Sequence, residues 1–567
     1  VLYPEAVGLS LDIDQSVSAL HARRIVAIDE PNANPIADAA REVLFTSNVL
    51  LGLPLDAADV ERAERDPEVA AAVARARLSA QRYWFDHPIP VGVEPEANEL
   101  LQGLRGLDRA MRSEPGLADP GVAGDGRRRR LTCLLSVSVT HAELRDIARR
   151  YVELELGAGT ALAHVDVLVA SETDVRQLAD EVLIPAMARF APASRTTSGL
   201  DVLGVDGEYG RHYSFLKAIA AFWHVFIDPG VRATFKIDLD QVFPQAELVA
   251  ETGRTALQHF ETPLWGARAH DAGGQPVELG MIAGALVNAG DISRGLFSPD
   301  VPVPVGPRQP SDHVFFSSLP QAISTRAEMM ERYDTPSPDG IGTALERIHV
   351  TGGTNGILVE ALRSHRPFTP SFIGRAEDQA YVLSVQGEEG PRLAYVHAAG
   401  LIMRHDKDRY AGAAIEAAQV GKLVGDDVRI LTFSAYAAAI AGRQPGSDVT
   451  VDSIKALMDP FTGGFISDLP MTTVLLRFAL RIIEAYDRGQ AELGRAYAEI
   501  GGRRLAESLE SAAEPGRFDA RVEDERSQWA AFYDTLDAVE LALAAGEPEA
   551  LELRGHARRL IDSWRVR

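Results

Sequence analysis

The sequence predicts an α/β protein built on a doubly wound sheet, and two observations support this class. Apolar runs typical of buried strands alternate with helical patterns between residues 131 and 237. The last of these runs ends directly in Asp238-Leu239-Asp240. Ligands of doubly wound sheets bind beyond the carboxyl ends of the strands, where we expect these two carboxylates to lie.

Strand and helix patterns alternate three times before the run that carries the acidic pair. Such a succession is typical of strand–helix units that form a largely parallel sheet. The predicted strands are Leu131–Val139, Val165–Ala170, Leu200–Val205 and Thr234–Ile237. The predicted helices between them are His141–Leu156, Val175–Phe190 and Arg211–Trp223. Weaker strand candidates follow at Leu264–Ala269, His313–Ser318 and Arg347–Val350.

The chain of 567 residues is longer than an ordinary domain, and we divide it into three regions. Residues 1–125 predict a mostly helical N-terminal region, which ends in a loop rich in Pro and Gly. Residues 126–407 carry the α/β pattern and predict the catalytic domain. Residues 408–567 show apolar residues at three- and four-residue spacing, which predicts a helical C-terminal region. This last region is a candidate homodimer interface.

Composition and charge limit the classes of partner. A net charge of −24 argues against nucleic acid and anionic membranes, and it suits a protein that binds an anionic substrate through cations. Cys133 is the only cysteine, so no intrachain disulfide forms and a reducing compartment is the simplest setting. Neither a run of eighteen uncharged apolar residues nor a signal-peptide pattern at the first residues is present. We therefore expect a soluble, cytoplasmic protein without a membrane span.

The acidic pair is the strongest chemical signal. Residues two apart on a strand project to the same side, so Asp238 and Asp240 would leave the strand end together. Two carboxylates in this place suit Mg²⁺ or Mn²⁺ that carries phosphate oxygens. The alternative for the triplet alone is an Asp-containing turn that binds no ligand.

Three further groups are candidates for a site. The Gly-rich turn Gly352–Gly356 runs into a predicted helix, and its amides suit an anionic group unless it is a plain helix-entry turn. Glu377 and Asp378 form an acidic pair that suits an acceptor hydroxyl. His397 and His405 are candidate metal ligands, although a lone histidine more often has a structural role.

Four segments together resemble the nucleotide-sugar glycosyltransferases of the GT-A fold. Within that class the likeness is to the glucosyl-3-phosphoglycerate synthase and mannosylglycerate synthase group. The four segments are Val167–Asp174, Gly210–Ala218, Lys236–Asp240 and Thr351–Glu360. Glu377, Asp378 and His405 then follow in the order that the family places an acidic residue and a metal-binding histidine.

The resemblance implies a Rossmann-like, doubly wound mixed sheet with helical additions at both ends of the chain. It implies transfer of a hexose from a UDP- or GDP-hexose to a small hydroxyl acceptor such as a glycerate, and it favours retention. The implied metal ligands for Mg²⁺ or Mn²⁺ are Asp238, Asp240 and His405. The implied donor contacts are Ser171, Glu172, Arg211, Lys217 and Asp238. The implied acceptor loop and acidic pair are Gly352, Gly353, Thr354, Asn355, Glu377 and Asp378.

The sequence departs from the family in two places, and it leaves rival classes open. Leu131–Val139 lacks the Pro-x-x-Asn-Glu segment of such enzymes, and the stretch between Asp240 and Gly352 is long. A haloacid-dehalogenase-type phosphohydrolase would use Asp238 as nucleophile and Asp240 as general acid, but that motif normally opens its domain. A sugar-nucleotide pyrophosphorylase would need a Gly-rich basic loop after its first strand. A non-catalytic binding protein of the same fold is the third rival.

Overall fold

One large mixed sheet of twelve strands organises the chain. The computed structural model describes residues 12–83, 85–114, 130–157, 162–194, 199–305, 318–330, 338–443 and 449–566. The strands are β1 Ile25–Glu30, β2 Val43–Gly52, β3 Ile89–Pro90, β4 Leu131–Val139, β5 Val165–Ser171, β6 Ala233–Ile237, β7 Gln241–Val242, β8 Arg268–His270, β9 Pro276–Asn288, β10 Thr343–Arg347, β11 Thr354–Leu358 and β12 Arg392–His405. They confirm that the protein belongs to the mixed α/β class.

The first half of the sheet is parallel and buried. Strands β5, β4, β2 and β6 lie side by side in that order and run in the same direction. Almost every residue of these four strands is buried, as expected for a parallel sheet that helices cover on both faces. Strand β11 then pairs antiparallel with β6, and β9 pairs antiparallel with β11.

The second half of the sheet closes into a five-stranded barrel. Strands β9, β8, β1, β10 and β12 pair in this order through antiparallel contacts. The long strands β9 and β12 then pair with each other in parallel and complete the ring. Strand β12 also pairs with β7, and β7 directly follows the acidic triplet Asp238–Asp240. The barrel therefore holds the end of β12 beside that triplet.

Helices cover the sheet and form all elements described after residue 406. Among the described helices, none combines the length and the apolar character that crossing a membrane requires. The helices up to residue 405 are Ile13–Arg24, Ala39–Glu42, Ala57–Ala63, Pro67–Ala76, Glu99–Arg112, Ala148–Gly157, Glu172–Leu178, Ile184–Phe190, Tyr209–Phe222, Gln245–Thr252, Ser318–Glu328, Val359–His365 and Glu377–Leu383. The later helices are Lys407–Tyr410, Gly412–Ala417, Gln419–Gly442, Val451–Leu457, Pro460–Gly463, Pro470–Asp487, Ala491–Ala496, Gly502–Ala512, Arg517–Ala544 and Pro548–Ser563.

Several predicted elements are confirmed and others are wrong. The predicted strands at Leu131–Val139, Val165–Ala170 and Thr234–Ile237 correspond to β4, β5 and β6. The predicted strand Leu200–Val205 is wrong, because the guanidinium of Arg211 donates to the carbonyls of Leu203 and Asp206 and holds these residues as a loop. The candidate Leu264–Ala269 overlaps only β8, and Arg347–Val350 overlaps only the end of β10. Of the candidate His313–Ser318, all but Ser318 lies outside the described residues.

The sheet also begins earlier than the sequence indicates. Strand β2 lies between β4 and β6 at the centre of the parallel half, although it falls in the region predicted as mostly helical. Residues 1–125 supply β1, β2 and β3 and therefore share one sheet with the residues that follow. Two of the longest strands, β9 and β12, were also not predicted.

Candidate functional site

A cavity of about 400 Å³ opens at the carboxyl end of β6. Strand β2 continues past the last residue of β6, so its Asn48 and Leu50 line one wall of the cavity. The acidic triplet, the turn before β11 and the start of the helix Glu377–Leu383 line the centre. The helix Gln419–Gly442 closes the far side, so the cavity is built from all three predicted regions of the chain.

Asp238 is held firmly inside this site. Its Oδ1 accepts a hydrogen bond from Lys236 Nζ at 2.6 Å, and its Oδ2 accepts one from Gln241 Nε2 at 3.2 Å. Lys236 also donates to the carbonyl of Gly352 at 2.9 Å, and its side chain is buried. The Lys236 ammonium therefore joins the acidic triplet to the Gly-rich turn.

Glycines make room for the triplet. A Cβ atom at Gly103 would lie 2.6 Å from Leu239 Cα, and a Cβ atom at Gly106 would lie 2.5 Å from Val242 Cγ1. Both glycines belong to the helix Glu99–Arg112, which therefore packs directly against the backbone of the triplet. On the other side, a Cβ atom at Gly353 would lie 2.5 Å from Asp238 Cγ. Larger residues at these positions would displace the acidic triplet.

Asp240 and Asp300 line the cavity although they are sixty residues apart in the sequence. His405 Nδ1 lies 3.5 Å from Asp300 Oδ1, and the pairing of β7 with β12 sets His405 opposite Gln241. His405 itself is not among the residues that line the cavity. We call the part of the cavity that Asp240 and Asp300 line its acidic corner.

This corner suits a divalent cation that arrives with phosphate. In the part of the chain that the structure describes, no three His, Cys, Asp or Glu side chains are close enough together to hold a metal ion by themselves. Mg²⁺ is commonly bound through one or two carboxylates together with substrate phosphates, and imidazole also suits Mn²⁺. The carboxylates of Asp240 and Asp300 fit such a shared site. Neither candidate histidine, His397 or His405, is among the cavity residues. His405 lies next to Asp300, whereas burial holds the pKa of His397 well below its usual range.

Glu377 and Asp378 begin a helix that points its first turn at the cavity. Burial raises the pKa of Glu377, although Lys236 opposes that shift. Burial also raises the pKa of Asp378 well above its usual range, and the neighbouring Glu377 adds to the shift. A Cβ atom at Gly352 would lie 3.4 Å from Glu377 Oε1 and 3.7 Å from Lys236 Nζ, so this acidic pair and the triplet share one centre.

Backbone strain marks the same place. Ala376 has φ +60°, which lies in the left-handed region that a residue with a Cβ atom rarely adopts. It lies directly before Glu377 and lines the cavity. Such a conformation costs about 1–3 kcal/mol and is commonly found at functional sites. The strain turns the chain sharply enough to present both carboxyl groups to the cavity.

The far wall carries a charged histidine between two carboxylates. His87 Nδ1 lies 2.9 Å from Asp86 Oδ1, and His87 Nε2 lies 3.4 Å from Glu99 Oε1. Burial alone would lower the pKa of His87, but the two carboxylates raise it to about 10. Tyr209 donates to the second oxygen of Asp86 at 2.5 Å. The imidazolium is therefore a fixed positive charge at neutral pH.

A second histidine faces the cavity from the turn before β11. His349 Nδ1 lies 3.5 Å from Asp459 Oδ2, and both side chains are buried. Asp459 in turn accepts a hydrogen bond from the Thr462 amide at 2.6 Å. His349 and Asp459 thus form a buried pair beside the cavity.

The predicted donor residues at the end of β5 form a separate network. Ser171 caps the helix Glu172–Leu178 and donates to Asp174 at 2.6 Å. Glu172 accepts hydrogen bonds from the amides of Val205 and Asp206 and pairs with Arg211 at 3.0 Å. Ser171, Glu172 and Arg211 are not among the residues that line the cavity. They fix the loop before the helix Tyr209–Phe222.

Lys217 and the predicted acceptor loop also contribute mainly to the framework. Lys217 is buried and donates to the backbone carbonyl of Asn355 at 2.8 Å and to its side-chain oxygen at 2.5 Å. Burial holds the pKa of Lys217 well below its usual range. Asn355 donates to the Thr351 carbonyl at 2.9 Å, which shapes the turn. Of the predicted residues Gly352, Gly353, Thr354 and Asn355, only Gly352 lines the cavity.

The cavity also contains residues that sequence patterns do not reveal. Asp300 is a single acid in a long irregular stretch, and Asn48 lies in a strand that was not predicted. His349 lies three residues before the Gly-rich turn Gly352–Gly356. The remaining charged residues that line the cavity are Asp86, His87, Glu99, Arg375, Lys422, Asp426 and Arg429. All of these except Arg375 come from the two predicted helical regions.

Comparisons of this chain with protein-family models, with curated proteins and with solved structures find no match. The geometry of the cavity therefore carries the functional argument. Its main elements are the acidic triplet, the neighbouring His405, the strained acidic pair and the charged far wall.

Proposed function

We propose that the protein is a metal-dependent glycosyltransferase that moves a hexose from a nucleoside-diphosphate sugar to a small hydroxyl acceptor. One observation carries this proposal. The carboxyl groups of Asp240 and Asp300 and the buried acidic pair Glu377 and Asp378 line one cavity at the end of β6. Carboxylates in such a cavity suit a cation with phosphates, and a buried acidic pair suits sugar hydroxyls.

The sheet supports the same proposal. Four parallel strands precede an antiparallel strand, and the acidic triplet follows the fourth of them, β6. This arrangement fits the Rossmann-like mixed sheet that the resemblance to GT-A enzymes implies. Because β2 lies next to β6, Asn48 and Leu50 take the wall where we place the base and ribose of the donor.

Asp240 and Asp300, which line the cavity, would hold Mg²⁺ or Mn²⁺, and His405 lies next to Asp300. When bound, the ion would neutralise the charge on the donor diphosphate. Asp238 has a different task, because Lys236 and Gln241 occupy its two oxygens. In the proposed site it fixes Lys236 and the turn at Gly352 below the donor.

Glu377 and Asp378 bind and orient the sugar in the proposed reaction. A carboxyl group whose pKa is raised by burial keeps its proton up to a higher pH. The protonated group donates a hydrogen bond, which a carboxylate cannot do. Lys236 stabilises the charged form of Glu377, so the pair offers both a donor and an acceptor to sugar hydroxyls. We propose retention, with the departing phosphate taking the acceptor proton.

The place of the acidic triplet in the chain disfavours the phosphohydrolase alternative. In that class the first Asp of the triplet attacks phosphorus, and the motif normally opens its domain on the first strand. Here the parallel strands β2, β4 and β5 all precede β6 and the triplet in the chain.

The proposal is tested by thermal unfolding of the purified protein with UDP, GDP, ADP and their sugar conjugates, each with and without Mn²⁺. A ligand that binds only the folded state stabilises it by about 2.7 kcal/mol at a concentration 100-fold above its Kd. We expect stabilisation by one nucleotide, and only with the metal. A response to inorganic phosphate and to sugar phosphates, with none to any nucleotide, would instead support a phosphohydrolase.

A further inference from the structure

The helix Pro470–Asp487 presents an apolar face to solvent. Leu475, Ile483 and Tyr486 are 53%, 54% and 50% exposed. A surface helix normally directs charged and polar residues outward, and a helix that is apolar on all sides is normally buried. The exposed residues between positions 471 and 486 include no charge, and they are Met471, Thr472, Leu475, Leu476, Ala479, Ile483 and Tyr486. We call this set the apolar face.

The opposite side of the same helix is anchored by ion pairs, which fixes the direction of the apolar face. Arg477 Nε lies 3.5 Å from Asp427 Oδ1, and Arg481 Nη2 lies 3.5 Å from Asp426 Oδ2. Val474 is fully buried on this side. The helix therefore cannot rotate its apolar face into the protein without breaking these contacts.

The apolar face is large enough for a stable contact. Of the sixteen large hydrophobic residues that are exposed in the described part of the chain, six lie between Leu469 and Tyr486. Ile500 on the following segment extends the patch. A fully exposed large side chain has roughly 150–250 Å² of accessible surface. These half-exposed residues therefore offer on the order of 600–700 Å² of apolar surface per copy. A standard protein–protein interface uses about 800 Å² per partner.

The pattern of the apolar face is self-complementary. Thr472, Leu475, Ala479, Ile483 and Tyr486 recur at spacings of three and four residues and lie symmetrically about Ala479, which suits a pair of packed helices. Two copies packed antiparallel around Ala479 set the large Tyr486 against the small Thr472. The same operation sets Leu475 against Ile483. A two-fold interface has this reciprocity, because each contact occurs twice.

We propose that the apolar face binds the same face of a second copy of this chain, with the two helices antiparallel and Ala479 at the crossing point. The net charge of the protein also favours this face as the contact surface. Each copy carries a net charge of −24, so two copies repel each other except where charge is absent from both surfaces. Added salt screens that repulsion and leaves the apolar contact intact, so the dimer tightens as ionic strength rises.

Sedimentation equilibrium of the full chain tests the dimer. We expect wild type at micromolar concentration to have twice the 61.3 kDa of one chain, and the double variant Leu475→Glu, Ile483→Glu to be monomeric. Four glutamates meeting at one seam should raise the dissociation constant by about 100-fold or more. The matched control is Leu541→Glu, whose side chain is 73% exposed on another helix, and it should remain dimeric.

Crosslinking gives a second readout that does not depend on a disruptive variant. Cys133 is buried and is the only cysteine, so Ala479→Cys introduces one reactive thiol at the predicted crossing point. A short bis-maleimide should join two copies of Ala479→Cys and leave Ala506→Cys, an exposed position on the next long helix, uncrosslinked. Wild type that stays monomeric at tens of micromolar in high salt would overturn the proposal. A monomer that binds neutral lipid vesicles would also overturn it and assign the face to a membrane.

Discussion

At the residue scale, the two carboxylates of the acidic triplet have different tasks. Asp238 accepts hydrogen bonds on both oxygens from within its own segment, from Lys236 and Gln241. Asp240 lines the cavity together with Asp300 and lies directly before Gln241, which pairs with His405. The sequence predicts that an acidic pair exists, but only the structure shows that Asp238 is held by its own segment.

Asp240→Asn tests the assignment of the metal ligand. Asparagine keeps the shape of the side chain but removes the charge that binds a divalent cation, so we expect metal-dependent nucleotide affinity to fall by about 100-fold or more. Isothermal titration with the nucleotide and Mn²⁺ measures that loss, and urea unfolding without ligand shows separately that the variant is folded. The control is the exposed Asp562→Asn, which should bind like wild type. Equal affinity in the two variants would remove Asp240 from the site.

Glu208 predicts a pH dependence of stability. Burial raises its pKa from 4.5 to about 7, while Arg521 opposes the shift. The folded state therefore holds this proton more tightly than the unfolded chain, so the associated stability is complete below pH 4.5 and is lost as the pH rises through 7. Glu208→Gln avoids that loss.

We therefore expect Glu208→Gln to be more stable than wild type by about 1–3 kcal/mol at pH 8 and nearly equal to it at pH 4. Urea unfolding at the two pH values measures the difference. Glu389→Gln, at an exposed position, is the control and should change stability little at either pH. A gain of the same size at both pH values would show that the effect does not come from the titration of Glu208.

At the scale of elements, the sequence predicts the strands that alternate with helices along the chain. It does not predict strands such as β2, β9 and β12, which lie outside that alternation. Strands β4, β5 and β6 are continuous apolar runs with helical patterns between them, and these were predicted. Strand β2 contains Thr46, Ser47 and Asn48 in its centre, and its main partners β4 and β6 are more than eighty residues away in sequence. Long-range pairing of this kind leaves no local pattern.

The candidate site shows the same limit. Asp238, Asp240, Glu377, Asp378 and Gly352 line the cavity and were chosen from local patterns. The predicted residues that do not line the cavity, such as Lys217 and Arg211, lie on the correct helix but form buried bonds to the backbone. Local sequence gives the polarity of a residue but does not show whether its partner is a ligand or a carbonyl. That distinction depends on tertiary packing.

The helix Glu99–Arg112 provides a prediction about an element. Gly→Ala inside a helix normally stabilises a protein by about 0.5–1 kcal/mol. At Gly103 the added Cβ would lie 2.6 Å from Leu239 Cα, so we expect Gly103→Ala to destabilise the fold and weaken nucleotide binding. Gly555→Ala is the control, since its nearest contact is a side-chain atom at 3.7 Å and it should stabilise the protein. The same gain in stability for both variants, measured by urea unfolding, would contradict the close packing of helix and triplet.

At the scale of the whole molecule, the cavity is assembled from residues that the sequence divides among three regions. Asn48 and His87 come from the first region, Asp240 from the second, and Lys422 and Asp426 from the third. The first region also supplies a central strand of the sheet. We therefore regard the C-terminal helices as part of the site and not as a separate appendage.

Hydrogen exchange with mass spectrometry tests this assembly. With saturating nucleotide and Mn²⁺, we expect slower exchange around residues 238–241 and also in the helix Gln419–Gly442, because bound ligand suppresses local opening of the surfaces that it contacts. The helix Pro548–Ser563 does not line the cavity and serves as the internal control. Protection confined to residues 126–407 would contradict the contribution of the C-terminal helices.

The most direct test of the proposed function is conversion of the nucleoside-diphosphate sugar that stabilises the protein. Chromatography of a reaction with Mn²⁺ and a panel of small hydroxyl acceptors would follow release of the nucleoside diphosphate and formation of a glycosylated product. We predict both products with wild type, and neither after chelation of the metal or in Asp240→Asn. Release of inorganic phosphate without nucleoside diphosphate, or full turnover by Asp240→Asn, would contradict the assignment of this site to glycosyl transfer.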